Sequence, residues 1–415
     1  MPSRRGPWGA SLWGESWAAW VALAVGVVAI SAHTASSMVF AVLMKPVLAE
    51  FGWARTDFAG AMTLRMSMMV VVLAAAGLLT DRVGARVVLA SGALIIGLGN
   101  LALSRIETLP QLYTVMAGLG PGQAAIGSVA ASALVLRRFR HRRSLAIGFL
   151  NGGDNLLNSG IYLGAASLLA LWGWRATLAT LACSYLLLAG LILVVLRPGG
   201  EDAGDADDRA ALRGPIRLRD LPWRDRRLWV VCLAYAGIYA FVTSVQLHLH
   251  AYLTDLGHSP ADASGVLSTL TLAGAVGAPL FGWIAERHSA RAALLLVVAG
   301  LALSSLVLWD PHPLPVYTAW AVGYGLVNSG VVTLLTLVLA ELFGAEQIGR
   351  LMGVALMGCV AATMAGNLFS AQVFDRLGDY RVAWQTYSAL MALVLLPSWW
   401  LWRTSSPDAL TVPPR

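Results

Sequence analysis

Charged residues are scarce in this chain of 415 residues. Asp, Glu, Lys and Arg together account for 12% of the sequence, whereas a soluble globular protein carries about 25%. Hydrophobic residues account for 58%, and the mean hydropathy is +0.69. So little charge cannot cover a water-facing surface, and we therefore expect the chain to lie in a lipid bilayer.

Cysteine and metal-ligand patterns are also lacking. The three cysteines lie inside separate apolar runs, at Cys183, Cys232 and Cys359. Their spacing fits neither a disulfide framework nor a zinc site. His248 and His250 are two residues apart, so on a helix they point to different sides. The sequence therefore predicts no metal and no cofactor.

A nucleotide-binding motif is absent from the sequence. The glycine-rich segment 118–122 lies inside an apolar run and lacks the Lys-Ser/Thr that follows a phosphate-binding loop. This argues against an ATP-driven pump, and we expect no enzymatic activity. The net charge of +7 could suggest a nucleic-acid partner. In a membrane chain, however, excess arginine marks the cytoplasmic loops, and we expect no nucleic acid.

Twelve apolar runs are long enough to cross a bilayer, which takes about twenty residues as a helix. Six lie near residues 17–44, 57–79, 86–104, 110–136, 143–171 and 175–196. Six more lie near residues 228–253, 262–285, 291–309, 314–342, 347–374 and 382–402. The first run is too long for a signal peptide and lacks a cleavage pattern, so it stays as a span. The sequence predicts an all-α membrane protein with six-helix bundles at 1–196 and 228–415, joined by a linker at 197–227.

A stretch in the first bundle recurs in the second. Shifting the chain by 205 residues places Gly77 on Gly282 and Arg86 on Arg291, and the register extends back to residue 52 without a gap. Residues 52–86 contain eight identities in 35 positions, where chance gives about two or three. The two halves are therefore homologous, and parallel six-span repeats are a transporter architecture.

Basic residues are distributed unequally between the two sets of loops. Twenty-two of the 29 fall in the termini, the linker and the loops on the same side, and six fall in the opposite loops. The positive-inside rule then places the termini and the linker in the cytoplasm. We expect the segment 218–227 of the linker to lie on the membrane surface. A solvated linker with anionic-lipid contacts is favoured there over a regulatory role.

The repeated loop carries the residues predicted to gate the protein. Asp81 sits at the C-terminal end of a span, where the helix dipole disfavours a negative charge. Either Arg82 and Arg86 or the N-terminus of another helix must stabilise it, and we hypothesise a locking role. The predicted gating set is Gly77, Asp81, Arg82 and Arg86 with their counterparts Gly282, Glu286, Arg287 and Arg291.

Two charged residues lie well inside predicted spans, where ionisable groups are site candidates. Arg65 precedes Asp81 by sixteen residues, roughly 24 Å along a helix. It either snorkels outward or pairs with Glu50 or Asp57, or it binds an anionic substrate.

Asp154 lies near the midplane of the fifth span and has Asn151, Asn155 and Asn158 as polar neighbours. A low-dielectric interior favours the protonated carboxyl, so Asp154 could carry a proton. A structural pair with Arg65 is the alternative.

Six further polar residues are candidates to line a central cavity between the halves. Each alone is better explained by helix packing, but as a set facing one cavity they point to substrate or proton binding. They are His33, Gln123, Gln246, His248, Asn328 and Asn367.

The chain resembles the major facilitator superfamily. The resemblance rests on two six-span halves, a long linker and the motif G-x-L-x-D-R-x-G-x-R at residues 77–86. Lys45-Pro46, Phe51-Gly-Trp53-Ala-Arg55 and the segment 248–257 resemble the monocarboxylate porter and oxalate–formate antiporter branch. The resemblance implies transport by rocking of one half against the other. It also implies that Asp81 latches onto the start of the eleventh span, near 346–349.

The sequence departs from that branch in its eighth span, which carries no cation between Asp262 and Glu286. The resemblance still favours a plasma-membrane secondary transporter of a small organic, carboxylate-like anion, by symport with protons or by antiport. We expect it to act as a monomer. One alternative is proton-driven efflux of amphipathic or cationic compounds, and another is a membrane receptor that keeps the fold without transport.

Overall fold

A computed structural model describes residues 16–139, 143–196, 222–344 and 348–403. These residues form helices α1 (Trp17–Phe51), α2 (Arg55–Val83), α3 (Ala85–Leu103), α4 (Leu109–Ile126), α5 (Ser128–Arg138), α6 (Arg143–Ser159), α7 (Ile161–Val195), α8 (Arg226–Asp255), α9 (Pro260–Arg287), α10 (Ala290–Leu306), α11 (Leu314–Phe343), α12 (Ile348–Leu377) and α13 (Arg381–Arg403). The all-α prediction is confirmed.

Each predicted span corresponds to one helix or to parts of two. The fourth span is divided between α4 and α5 at Gly127, and the fifth continues from α6 into α7 past Gly160. Gly173, with φ 75° inside α7, then separates the fifth span from the sixth. Glycine adopts that conformation without the steric cost a side chain would add. Among the described helices, eight are long and apolar enough to cross a membrane, and Ala290–Leu306 is a shorter apolar helix.

Helix α1 is longer than the sequence predicted. The Ser16 hydroxyl caps its start by accepting from the Ala19 amide at 3.2 Å, and Gly52 ends it with φ 68°. The predicted end at residue 44 was wrong because the helix continues through Pro46 to Phe51. Proline is tolerated within membrane helices.

The described residues divide into two compact units. Unit 1 comprises residues 16–196 with 259–268, and unit 2 comprises residues 222–258 with 269–403. Most of the linker predicted at 197–227 lies outside the described residues.

Helix packing within each unit follows a small set of pairs. In unit 1, α1 packs on α5, α6 and α7, while α4 packs on both α2 and α3. In unit 2, α8 packs on α12 and α13, and α10 packs on α11 and α13.

Small residues bring α4 against α2 where the charged residue of α2 lies. A Cβ atom added at Gly120 would lie 2.5 Å from the carbonyl oxygen of Arg65 and 2.7 Å from the Met68 Cβ. Such close approach of backbones is typical of membrane helix pairs. The contact at Gly120 therefore fixes the position of the Arg65 backbone against α4, and with it the point from which the Arg65 side chain extends.

Candidate functional site

The candidate site of unit 1 is built on a short polar stretch of α1, which interrupts an otherwise apolar helix. His33, Thr34, Ser36 and Ser37 fall within five residues, so they present polar groups around more than one side of the helix. We call residues 33–37 the polar segment of α1. Side chains from α2, α4, α6 and α7 converge on it or on the turn before it.

Arg65 of α2 is buried against this segment, with 2% of its surface exposed. Its Nη1 donates to the Ser36 carbonyl at 2.9 Å, and its Nη2 donates to the Ser37 hydroxyl at 3.1 Å. The guanidinium carbon lies 5.0 Å from the centre of the Phe40 ring. The Nε donor has no hydrogen-bond partner among the described residues.

The alternative partners proposed for Arg65 are engaged elsewhere. The Glu50 carboxylate accepts from Arg175 at 2.7 Å and from the Trp174 indole at 2.5 Å. Asp57 accepts from the Ala54 amide at the start of α2, at 3.0 Å. Within the described part of the chain, Arg65 therefore neither snorkels outward nor forms an ion pair with either carboxylate.

Gln123 links α4 to the same polar segment. Its amide nitrogen donates to the Ser37 hydroxyl at 2.6 Å, so Gln123 and Arg65 share one partner. The Gln123 backbone carbonyl lies 2.9 Å from Nδ1 of His33. The side-chain oxygen of Gln123 is buried and has no hydrogen-bond partner among the described residues.

Asp154 of α6 approaches the other side of the polar segment. One carboxylate oxygen accepts from the Thr34 hydroxyl at 3.3 Å, and the other accepts from the Asn158 amide at 2.6 Å. Both partners are neutral, and no ion pair joins Asp154 to Arg65 in the described residues. The structural-pair alternative is therefore not observed. The side chain of Asn151 lies outside the described part of the structure.

Polar side chains of unit 2 mainly join helices to one another. His248 of α8 is fully buried, with Nδ1 3.0 Å from the Tyr380 hydroxyl and Nε2 3.2 Å from the Asn367 carbonyl. Ser244 lies 2.5 Å from Ser370, which continues the contact between α8 and α12. This geometry favours helix packing for His248 over cavity lining.

The remaining cavity candidates differ in exposure. Gln246 is exposed and Asn328 is half-buried. Asn367 is buried, and its side-chain oxygen has no hydrogen-bond partner among the described residues. The three amides of unit 2 therefore differ in depth, from exposed through half-buried to buried.

The predicted gating residues are only partly described. Asp81 lies in the last turn of α2, but its side chain, that of Arg82 and the surroundings of Gly77 lie outside the described part, as do residues 345–347. Arg86 donates to the Leu193 carbonyl at 2.5 Å.

In the second copy of the loop, Gly282 is half-buried and Glu286 is exposed. The guanidinium of Arg287 lies 5.5 Å from the centre of the Trp283 ring. Arg291 pairs with Glu341 at 2.8 Å, and Glu341 also accepts from the Ala290 amide. The sequence analysis missed Glu341. It lies at the end of a predicted span, on the same predicted side of the membrane as Arg291.

In the described residues, no group of three His, Cys, Asp or Glu side chains is placed to hold a metal. What unit 1 does offer is a cation with an open donor, an amide oxygen with an open acceptor and a carboxylate held by neutral groups. Such a set can bind a small polar or anionic molecule by hydrogen bonds.

Comparison with known proteins identifies the fold and the family. The Major Facilitator Superfamily profile matches residues 25–254 and 232–414. Human monocarboxylate transporter 11 is 27% identical over 366 residues, which cover 83% of this chain and 75% of that protein. The nitrite extrusion protein of Bacillus subtilis (strain 168) is 24% identical over 335 residues, covering 79% and 80%.

Solved structures agree on the fold. A bacterial homologue of the human lysosomal transporter Spinster, inward-facing and unoccupied, has a TM-score of 0.76 at 13% identity and covers 95% of this chain and 100% of its own. The nucleoside transporter NupG has a TM-score of 0.74 at 12% identity, covering 92% and 99%. The predicted resemblance, including that to the monocarboxylate branch, is confirmed. This chain belongs to the major facilitator superfamily of multi-pass membrane transporters.

Proposed function

We propose that the protein is a secondary transporter of small organic anions of the carboxylate class, working by alternating access in the plasma membrane with its termini in the cytoplasm. The buried guanidinium of Arg65 carries this proposal. It holds a positive charge away from water, it pairs with no carboxylate of the described residues, and its Nε donor is open. An anion would supply both the missing charge and the missing acceptor.

The relatives support the same class of substrate. The proteins similar to this chain include monocarboxylate transporters and a nitrite extrusion protein, which are named for small anions. The cation absent from the eighth span would be replaced by Arg65 of α2. Asp154 would take up and release the coupled proton, because its two hydrogen-bond donors are neutral and tolerate either state of the carboxyl.

Proton-driven efflux of a cationic or amphipathic compound is the second candidate. The observation in its favour is that α9 carries no Lys or Arg between Asp262 and Glu286, while Asp154 is not neutralised by a cation of the described residues. In that case Asp154 would receive the cationic substrate, and Arg65 would serve only to hold α1 against α2.

Transport assays with purified protein in proteoliposomes separate these functions. We expect labelled small carboxylates to accumulate when an inward proton gradient is imposed, and protein-free liposomes to show none. Accumulation of a cationic dye with no carboxylate flux would establish the efflux function instead. Saturable binding of a carboxylate without any flux would indicate a receptor. A run with the proton gradient collapsed by an ionophore separates symport from anion exchange.

A further inference from the structure

One end of unit 2 presents arginine and tryptophan side chains outward on two neighbouring helices. On α8, the residues Arg226, Trp229 and Leu233 are exposed at spacings of three and four, so they share one helix face. Trp229 is 51% exposed and Leu233 is 68% exposed. Along this face the chemistry runs from charged through aromatic to aliphatic.

Helix α13 presents the same order in the opposite chain direction. Leu396, Trp399 and Arg403 are exposed at spacings of three and four. The Arg403 guanidinium lies 4.1 Å from the centre of the Trp399 ring. This order matches the layers of a bilayer, in which aliphatic residues meet the hydrocarbon, tryptophan the interface and arginine the headgroups.

The antiparallel packing of α8 and α13 brings the two arginines to the same level. Gly237 lies against Val394, and the Phe241 and Tyr387 rings are 5.8 Å apart. Contacts therefore move towards the C-terminus of α8 as they move towards the N-terminus of α13, so the two helices are antiparallel. Arg226 lies eleven residues before Gly237, and Arg403 lies nine residues after Val394. At 1.5 Å per residue these are axial distances of about 16 and about 14 Å.

The local charge balance of the described residues is positive. Asp225 lies beside Arg224 and Arg226 in the sequence, and it is paired with Arg227 at 2.7 Å. That hydrogen bond lowers the pKa of Asp225, so the pair stays ionised and cancels. Arg224 and Arg226 remain exposed beside it, and Trp223 packs on Trp229 with ring centres 5.9 Å apart.

We infer that the exposed Arg226 and Arg403, with the tryptophans beneath them, form a binding site on unit 2 for the phosphate headgroup of an anionic phospholipid. Arginine matches the phosphate oxygens with paired donors, and the acyl chains would lie along Leu233 and Leu396. An anionic lipid, with its uncompensated charge, suits Arg224, Arg226 and Arg403, because the carboxylate beside the first two in the described residues is already paired. A zwitterionic lipid carries its own ammonium group and would gain less.

Lipid retention measured by native mass spectrometry tests this site on the full-length protein in detergent. Equal amounts of dioleoyl-phosphatidylglycerol and dioleoyl-phosphatidylcholine are added, and the expected result is preferential retention of the phosphatidylglycerol. The double variant R226Q/R403Q should reduce that retention roughly five-fold for each arginine removed. Glycerol 3-phosphate should not compete, because it lacks the chains.

The matched control removes two arginines from the opposite end of the same unit. R376Q/R381Q lowers the net charge equally and should leave retention unchanged, whereas R226K/R403K should retain part of the preference. Equal retention of the two lipids by the wild-type protein would overturn the inference. So would a preference that survives R226Q/R403Q in a monodisperse preparation.

Discussion

Arg65 in unit 1 and Leu270 in unit 2 occupy equivalent positions of the internal repeat, 205 residues apart. Their backbones are held in the same way, because Gly120 packs on the Arg65 carbonyl and Gly325, its own repeat partner, packs on the Leu270 carbonyl. The two units therefore share a helix crossing and differ in the side chain that leaves it. One unit has a buried cation where the other has a leucine.

The residues around Arg65 also differ from those around Leu270. Ser36 and Ser37, the two partners of Arg65, correspond to Phe241 and Val242, both buried in α8. The repeat thus keeps its packing frame, while the Ser37 hydroxyl that accepts from the guanidinium in unit 1 is replaced by the apolar side chain of Val242 in unit 2. Since a cation in an apolar interior is costly, selection for stability alone would favour the arrangement in unit 2. The difference supports a binding role for unit 1.

Replacing Arg65 by leucine makes the two units alike at this position and should have the largest effect. We expect carboxylate uptake to fall about 100-fold, the scale of a lost charge-assisted hydrogen bond in a buried site. The unfolding temperature should stay the same or rise, since a leucine needs no polar partner. Proteoliposome uptake and thermal unfolding measure the two effects.

Its matched control is Leu270→Met, which alters the equivalent position of unit 2 without changing charge. That variant should keep uptake within about two-fold, because methionine fills nearly the same volume. Equal losses of uptake in the two variants would mean that helix packing at this crossing determines uptake and the charge of Arg65 does not. Full activity in Arg65→Leu would remove Arg65 from the site.

The second prediction concerns the other interior charge of unit 1. Asp154→Asn keeps the shape of the side chain, and Asn158 can still donate to its oxygen. We expect uptake without a pH gradient to stay within about three-fold, while the stimulation by an inward proton gradient disappears. Measuring initial rates at matched and unmatched pH gives both numbers. Gradient stimulation equal to that of the wild type would eliminate the proton-carrier role.

Much of the fold could be predicted from the sequence, because membrane spans and repeats produce patterns that extend over many residues. The breaks at Gly127 and Gly160 could not be, since a single glycine inside an apolar run gives no signal of its own. Which face of a helix turns towards the protein interior was equally hidden. Gln246 and His248 were both predicted to line a cavity, yet His248 is fully buried against other helices and Gln246 is exposed.

Within the site, hydropathy located Arg65 and Asp154 because charges stand out in apolar runs. It could not find their partners. Ser37 is one of many serines in the chain, and only the packing of α2 and α4 on α1 shows that it serves both Arg65 and Gln123. Tyr185, which donates to the Ala32 carbonyl at 2.5 Å, was missed for the same reason.

The third prediction compares the loop ends of the two units. In unit 2, Arg291 has 10% of its side chain exposed and pairs with Glu341. In unit 1, the residue equivalent to Glu341 is Leu136, 205 residues earlier, and Arg86, the equivalent of Arg291, donates to a backbone carbonyl instead. Glu341→Gln removes the partner charge and should lower the free energy of unfolding by about 1–3 kcal/mol. Chemical denaturation in detergent measures this cost. A loss no larger than that of an exposed pair would show that water reaches Arg291.

The smallest effects are expected at the opposite ends of the units, where the described part of each contains an exposed ion pair. In unit 2 this pair is Arg381–Asp310, and both side chains are more than half exposed. Asp310→Asn should therefore change the free energy of unfolding by less than about 0.5 kcal/mol.

In unit 1, Glu50 binds Arg175 and Trp174 together, and Arg175 also donates to the carbonyls of Ser104 and Ile106. Glu50→Gln disturbs all of these contacts, so its cost should reach about 1 kcal/mol and persist in high salt, whereas the effect of Asp310→Asn should vanish there. If both variants lose stability equally and both effects are screened, the additional hydrogen bonds of unit 1 contribute nothing. The comparison would then rest on the buried charges alone.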